Sequence, residues 1–166
     1  MIQLSRWNIL NTGNFSMART TIMRAQLDAA NAMLDRICIG LNAYDGDAAA
    51  YPLSLDLSRL AGILRIHFSL ADRNLYPFLI ASGCPATTAL ARDFQREICT
   101  LANRFERFNL RWSSSIAIAG NVTLFRGEAA VIIMSIRRRL RHEMSDLFPI
   151  ADALDETLTN HWQGAA

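Results

Sequence analysis

Apolar side chains recur every three or four residues through most of this chain, which is the spacing of helices that bury one face. Four such stretches cover about residues 20–42, 55–82, 87–111 and 123–148, and turn-forming sequences such as Asp45-Gly46-Asp47 separate them. Helices of similar length joined by short connections are typical of a bundle. The pattern therefore predicts an all-α fold, namely an up-down-up-down four-helix bundle.

The two ends of the chain and one connection fit this pattern less well. Residues 1–17 are predicted to be an N-terminal arm that packs through Trp7 and Leu10, because the sequence from Asn11 to Asn14 favours a turn. The bundle then covers residues 18–151, and residues 152–166 form a short C-terminal helix or tail. The segment 112–122 is interpreted as a connection that packs Trp112 on the end of the bundle.

The second helical stretch places a histidine on its apolar face. On a helical wheel His67 lies with Leu60 and Leu64, whereas Arg65 and Asp72 point away from it. A lone histidine on such a face is more often a structural core residue than a ligand. His67 by itself therefore predicts burial and no particular chemistry.

The same stretch is repeated in the last third of the chain. Residues 65–77 align without gaps with residues 137–149, so that Leu75-Tyr76-Pro77 matches Leu147-Phe148-Pro149. In this alignment His67 corresponds to Arg139, and Ala71 corresponds to Glu143. An internal repeat of this kind indicates two similar helical hairpins, which supports the bundle.

Composition narrows the class of protein without naming it. A chain of 166 residues that is 51% apolar forms one domain with a substantial core. Its net charge of +2 gives no global signal for nucleic acid or an anionic membrane surface. No apolar run is long enough to span a bilayer and no signal peptide is evident, so we expect a cytoplasmic protein without membrane or nucleic-acid partners.

The cysteines do not indicate a metal or disulfide framework. Cys38, Cys84 and Cys99 are odd in number, widely spaced and outside any Cys-x-x-Cys pattern. We expect buried or half-buried free thiols.

The second helical stretch contains the motif His67-Phe68-xxx-Asp72-xx-Leu75-Tyr76-Pro77, and its repeat ends in Leu147-Phe148-Pro149. These motifs resemble the hemerythrin family, also called the HHE cation-binding domain. The resemblance covers residues 20–151. It implies a four-helix bundle and, in that family, a non-haem di-iron centre held by histidines and carboxylates from all four helices.

Carried over position by position, the resemblance keeps two ligands, His67 and Glu143. Apolar or cationic residues stand at the other expected ligand positions, which are Leu27, Ala71, Phe94, Ile98 and Arg139. Two ligands do not make a di-iron site, because each iron needs several nitrogen and oxygen donors. We therefore expect no metal cofactor. The alternative is a weakly bound non-haem iron or other ion on His67 and Glu143, assisted by Asp72 or His142.

Arg139 admits two interpretations. It precedes Glu143 by one helical turn, so its guanidinium can take the place of the metal cation and pair with a buried Glu143 carboxylate, with His67 nearby. Alternatively, Arg139 extends outward with the neighbouring arginines of the run 137–141 while Glu143 is half exposed. The sequence leaves both open.

For function, the missing ligands favour a non-catalytic hemerythrin-like binding or regulatory protein that has lost its di-iron site. The alternative is a hemerythrin-like protein that binds a metal ion weakly for oxygen or redox sensing. Nucleic-acid or anion binding by the run 137–141 is less favoured than a solvated helix face. The apolar run Ala129–Met134 is covered by the arm, by the Trp112 connection or by a second subunit, and we expect a homodimer besides a protein partner that the sequence does not name.

Overall fold

A computed structural model describes residues 12–163 of the chain, with side chains at residues 20–158 and 160. This part of the chain contains α-helices and no strand, which confirms the all-α prediction. A turn of 3₁₀ helix, Asp47–Ala49, precedes the second helix. The helices are α1 (Thr12–Asn42), α2 (Ala50–Leu70), α3 (Tyr76–Ile80), α4 (Pro85–Arg111), α5 (Ser115–Gly120), α6 (Val122–His142) and α7 (Phe148–Gln163).

Two π-helical segments interrupt the long helices. The first π segment, Ala71–Leu75, joins α2 to α3, and the second, Glu143–Leu147, joins α6 to α7. The gapless alignment of the sequence repeat pairs these two segments residue by residue. The repeat is therefore present in the backbone as well as in the sequence.

A proline follows each π segment and explains it. Pro77 and Pro149 have no amide hydrogen, and in a regular α-helix the ring of each would meet the carbonyl four residues earlier. In both segments the preceding amide bonds five residues back, from Tyr76 to Ala71 and from Phe148 to Glu143. The additional residue in the turn moves the obstructing carbonyl aside, so the helix continues past the proline.

The long helices α1, α2, α4 and α6 contact one another in a closed sequence. Helix α1 packs against α2 and α6, and α4 packs against α2 and α6. The later segments extend these contacts, because α3 packs on α4 and α7 packs on α1. Buried apolar residues from all of them form one core, which includes Met23, Leu34, Leu64, Phe105, Phe125 and Ile136.

Several predicted boundaries are wrong. Helix α1 begins at Thr12, before the expected start near residue 20, although Gly13 and Asn14 lie within it. Each costs only about 1 kcal/mol or less in a helix, which is too little to end one. Trp7 and Leu10, through which we expected the arm to pack, lie outside the described residues. At the other end, α7 continues directly from the second π segment, whereas we expected a separate element from Asp152.

The connection after α4 contains a helix that the sequence did not indicate. Helix α5 begins after Ser114, whose hydroxyl accepts a hydrogen bond from the Ala117 amide at 3.2 Å. Trp112 is 3% exposed, with its ring 5.3 Å from that of Phe125, so the expected packing of Trp112 is confirmed. The segment 112–122, which we interpreted as a connection, therefore contains a capped helix.

Some side chains expected to be covered lie at the surface. Cys38 is half-buried, but Cys84 and Cys99 are exposed, so the expectation of burial is wrong for these two thiols. In the apolar run Ala129–Met134, Met134 is 72% exposed. Within residues 12–163, no helix combines the length and the apolarity that crossing a membrane requires.

Helix α6 begins at a cap that can be tested. The Asn121 side chain accepts a hydrogen bond from the Leu124 amide at 3.0 Å. We expect Asn121→Ala to lower the free energy of unfolding in urea by about 1 kcal/mol, because an amide at the helix start loses its acceptor. The matched control Asn103→Ala, at an exposed position inside α4, should instead raise stability slightly, by about 0.3–0.7 kcal/mol. Equal effects at the two positions would contradict the capping role.

Candidate functional site

Four polar side chains meet in the core where the two π segments begin and end. His67 lies on the last turn of α2, and Tyr76 is the first residue of α3. Arg139 and Glu143 lie one turn apart, at the end of α6 and the start of the second π segment. These four residues, called here the buried cluster, are brought together by the two halves of the sequence repeat.

The Glu143 carboxylate is the centre of the buried cluster. Its Oε2 atom lies 2.6 Å from Nε2 of His67, and its Oε1 atom lies 2.9 Å from an Nη2 nitrogen of Arg139. The Tyr76 hydroxyl donates a longer hydrogen bond to the same Oε1 atom, at 3.4 Å. Glu143 is fully buried, yet both of its oxygens have partners, as a buried carboxylate requires.

Arg139 points into the core. It is 4% exposed, and its Nη2 donates to the Tyr76 hydroxyl at 2.6 Å and to the Phe94 carbonyl at 3.3 Å. The guanidinium carbon lies 4.2 Å from the centre of the Phe94 ring, in a cation–π contact. Of the two interpretations of Arg139, the buried ion pair is therefore the one adopted, and outward extension is wrong.

Tyr76 is part of the buried cluster, although no role was predicted for it from the sequence. The π turn places both Leu75 and Tyr76 inside, each fully buried. Burial, together with the nearby Glu143 carboxylate, raises the pKa of Tyr76 far above its ordinary value. The hydroxyl therefore stays protonated, accepts from Arg139 and donates to Glu143. Phe148, at the matching position of the repeat, lacks that hydroxyl. This difference between two otherwise similar motifs is the sequence signal that could have indicated a polar role for Tyr76.

Some polar atoms of the buried cluster have no partner within the protein. The carboxylate only accepts hydrogen bonds, so His67 donates from Nε2 and has an unpaired Nδ1. Nε and Nη1 of Arg139 also lack an acceptor. The charges of Arg139 and Glu143 compensate each other, but the donors of the guanidinium are only partly satisfied.

The donor set does not fit the di-iron centre that the resemblance implies. Among the described residues, no group of three or more histidine, cysteine, aspartate or glutamate side chains comes together. His67 and Glu143 are adjacent, but the Arg139 guanidinium lies beside them and would repel a metal cation.

The residues proposed to assist a weak metal site point elsewhere. Asp72 is exposed and accepts a hydrogen bond from Gln95 at 2.9 Å, so the first π segment does not turn it inward. His142 is half-buried on the outer side of α6, and Asp146 is exposed beside Ser145. The alternative set of ligands is therefore not assembled.

Apolar residues stand at four of the positions where the resemblance implies ligands, and all four are buried. Phe94 touches Arg139 through both its ring and its carbonyl, and the Ala71 amide bonds to the His67 carbonyl. Leu27 is 1% exposed on α1, and Ile98 is 3% exposed on α4. Apolar side chains thus fill the core around the buried cluster at these positions.

We expect Arg139→Ala to lower the free energy of unfolding by about 3–5 kcal/mol, because Glu143 becomes a buried and uncompensated charge. The double variant Arg139→Met/Glu143→Leu removes both charges and should recover most of that loss, to within about 2 kcal/mol of the parent. Urea denaturation followed by circular dichroism measures both values.

The matched control for this measurement is Arg138→Ala, which removes the neighbouring exposed arginine of α6. We expect it to change stability by no more than about 0.5 kcal/mol. An equally small effect of Arg139→Ala would contradict the buried ion pair, and failure of the double variant to recover would show that the uncompensated charge of Glu143 is not the main cause of the loss.

The raised pKa of Tyr76 predicts a pH dependence. Since the unfolded chain ionises tyrosine near pH 10 and the folded chain does not ionise Tyr76 there, stability present below about pH 10 is lost as the pH rises further. In an absorbance titration at about 295 nm, we expect one tyrosine to ionise only together with unfolding. Tyr76→Phe should remove that last step, whereas Tyr51→Phe, at an exposed position, should leave it in place.

Comparisons of the chain with models of known protein families, with curated proteins and with solved structures found no match. The interpretation of the buried cluster therefore depends on its own residues and geometry. Its defining feature is a buried carboxylate held by an arginine, a histidine and a tyrosine.

Proposed function

We propose that this chain is a hemerythrin-like four-helix bundle that has lost the di-iron site and acts as a non-catalytic binding or regulatory protein. One observation carries the proposal. The Arg139 guanidinium lies buried against Glu143, beside His67, where the resemblance implies a metal. A side-chain cation thus supplies the positive charge that these ligand positions would otherwise take from iron.

The helix contacts support the up-down-up-down arrangement. In such a bundle each helix touches the preceding and following helix, and the fourth returns to the first. The contacts of α1 with α2, α2 with α4, α4 with α6 and α6 with α1 follow that order. The matched π segments support the two-hairpin repeat on which the resemblance depends.

The exchange of a metal for arginine has a physical rationale. A carboxylate in the core is costly without a compensating charge, so loss of the metal alone would destabilise the fold. Arg139 reaches Glu143 from one turn earlier on the same helix, which makes the replacement possible by substitution at one position. The Phe94 ring and Tyr76 hydroxyl then contact the guanidinium, which no longer has solvent around it.

Burial of the buried cluster favours a non-catalytic role. His67 and Glu143 are the acid–base pair of the core, but they are 1% and 0% exposed, so a substrate has no direct access to them. The function would then be exercised at the surface. The homodimer expected from the run Ala129–Met134 and an unidentified protein partner stay predictions.

Metal content tests the proposal directly. We expect less than about 0.1 iron per chain, by plasma mass spectrometry, in protein purified without chelator from iron-supplemented cells, and no oxo-bridge absorption. Two irons per chain would overturn the loss of the site. About one weakly held ion that raises the melting temperature would favour the oxygen- or redox-sensing alternative.

A restored site tests the resemblance itself. Ala71→Glu with Arg139→His puts back a histidine and a carboxylate one turn apart on each of two facing helices, beside His67 and Glu143. We expect this double variant to bind about one Co²⁺ or Fe²⁺ per chain, whereas the parent binds none. The matched control, Ala130→Glu with Arg92→His, makes the same changes at exposed positions that have no histidine or carboxylate one turn away, and it should bind no more than the parent. Equal binding by both variants would contradict the assignment of these ligand positions.

A further inference from the structure

A groove runs between α4 and α6 on the outside of the buried cluster. Its first section, of about 510 Å³, is lined by Arg104 from α4 and by Arg138, Arg139 and His142 from α6, with Leu101 and Met134 as its apolar surface. Its second section, of about 800 Å³, continues past Arg104 along Phe108, Leu124, Val131 and Ile132. Volumes of this size suit small ligands.

The first section is strongly basic. Four arginines line it, and the carboxylate among its lining residues is Glu97. Of the four, Arg96 is paired with Asp93 on its own helix, and Arg139 is paired with Glu143 inside the core. Arg104 and Arg138 are exposed, so the groove presents an excess of positive charge next to apolar side chains.

An independent observation points to a ligand at the same place. Arg139 is the residue that the groove shares with the buried cluster, and it is 4% exposed. Its Nε and Nη1 nitrogens have no acceptor within the protein, although buried donors in native proteins are nearly always paired. An acceptor that enters the groove beside Arg139 would supply the hydrogen bonds that these nitrogens lack.

We propose that this groove binds a small anionic amphiphile, with its carboxylate or phosphate head between Arg138 and Arg139 and its apolar tail along Met134 towards Val131. The inference rests on the proposed binding role and on a metal-free buried cluster, because Arg139 serves both. The shared ligand chemistry is one anionic group joined to an apolar chain. A guanidinium pair recognises such a head through charge-assisted hydrogen bonds.

The side chains over the head position permit entry. Met134 and Arg138 line the groove with Arg139, and both are exposed, so both side chains are free to move when a head group enters beside Arg139. Beyond them, Val131 is 54% exposed and Leu124 is 39% exposed, which leaves apolar surface for a tail to cover.

The contributions of head and tail to binding are separated with four probes, namely octyl phosphate, octanoate, inorganic phosphate and 1-octanol. We expect octyl phosphate or octanoate to bind the full chain at least about tenfold more tightly than either inorganic phosphate or 1-octanol, by calorimetry or amide chemical shifts. The two heads distinguish a phosphate ligand from a carboxylate. Vesicles of phosphatidylglycerol are the arm that distinguishes a membrane surface from a free amphiphile.

Variants at exposed positions locate the site without disturbing the buried cluster. Arg104→Gln/Arg138→Gln should weaken binding of the amphiphile about tenfold or more, and the uncharged change Val131→Asn should weaken it while leaving inorganic phosphate unchanged. Arg92→Gln is the matched control, since this exposed arginine of α4 does not line the groove, and it should bind like the parent.

Three outcomes would overturn the proposal. These are no binding of either amphiphile at millimolar concentration, an equal loss in Arg92→Gln, and binding to vesicles alone. Metal content is measured on the same protein. A metal-free chain that binds no amphiphile refutes this inference and leaves the proposed function standing, whereas a chain with two irons refutes both.

Discussion

The Glu143 carboxylate is the constraint on which the interior of this protein depends. It is fully buried, and an ion without compensation in that position would cost several kcal/mol. Its partners come from three elements, His67 from α2, Tyr76 from α3 and Arg139 from α6, so compensation of one charge ties both halves of the chain together. The same requirement explains why the arginine next to the exposed Arg138 points inward.

The two prolines determine how these partners are oriented. Each is accommodated by a π turn, which adds a residue and changes which side chains face the core. After the first π segment, Tyr76 points inward and reaches both Arg139 and Glu143. A regular helix through Pro77 would place the carbonyl of Arg73 against the ring, so the backbone irregularity and the hydrogen-bond network have the same origin.

The features predicted correctly from the sequence follow from helical periodicity, and the features that were missed follow from local backbone geometry. The core face of His67 and the turn between Arg139 and Glu143 follow from 3.6 residues per turn, so both were readable. The inward rotation of Tyr76 follows from a π turn, which periodicity does not contain. Helix α5 was missed because the helix that Ser114 caps is too short to show a hydrophobic repeat. The start of α1 was placed too late because low helix propensity at one or two residues rarely ends a helix.

The proposed groove would give the buried ion pair of Arg139 and Glu143 a role beyond stability. Such pairs contribute little net stability compared with apolar residues of similar volume, so stability alone does not account for this one. An apolar pair would fill the core equally well, but it would leave no positive charge beneath the groove between α4 and α6. Glu143, Tyr76 and Phe94 hold the Nη2 nitrogen of the guanidinium, and Arg139 lines the groove together with Met134 and Arg138. If the groove binds an anion as we propose, the buried cluster is the support that orients this charge for recognition at the surface.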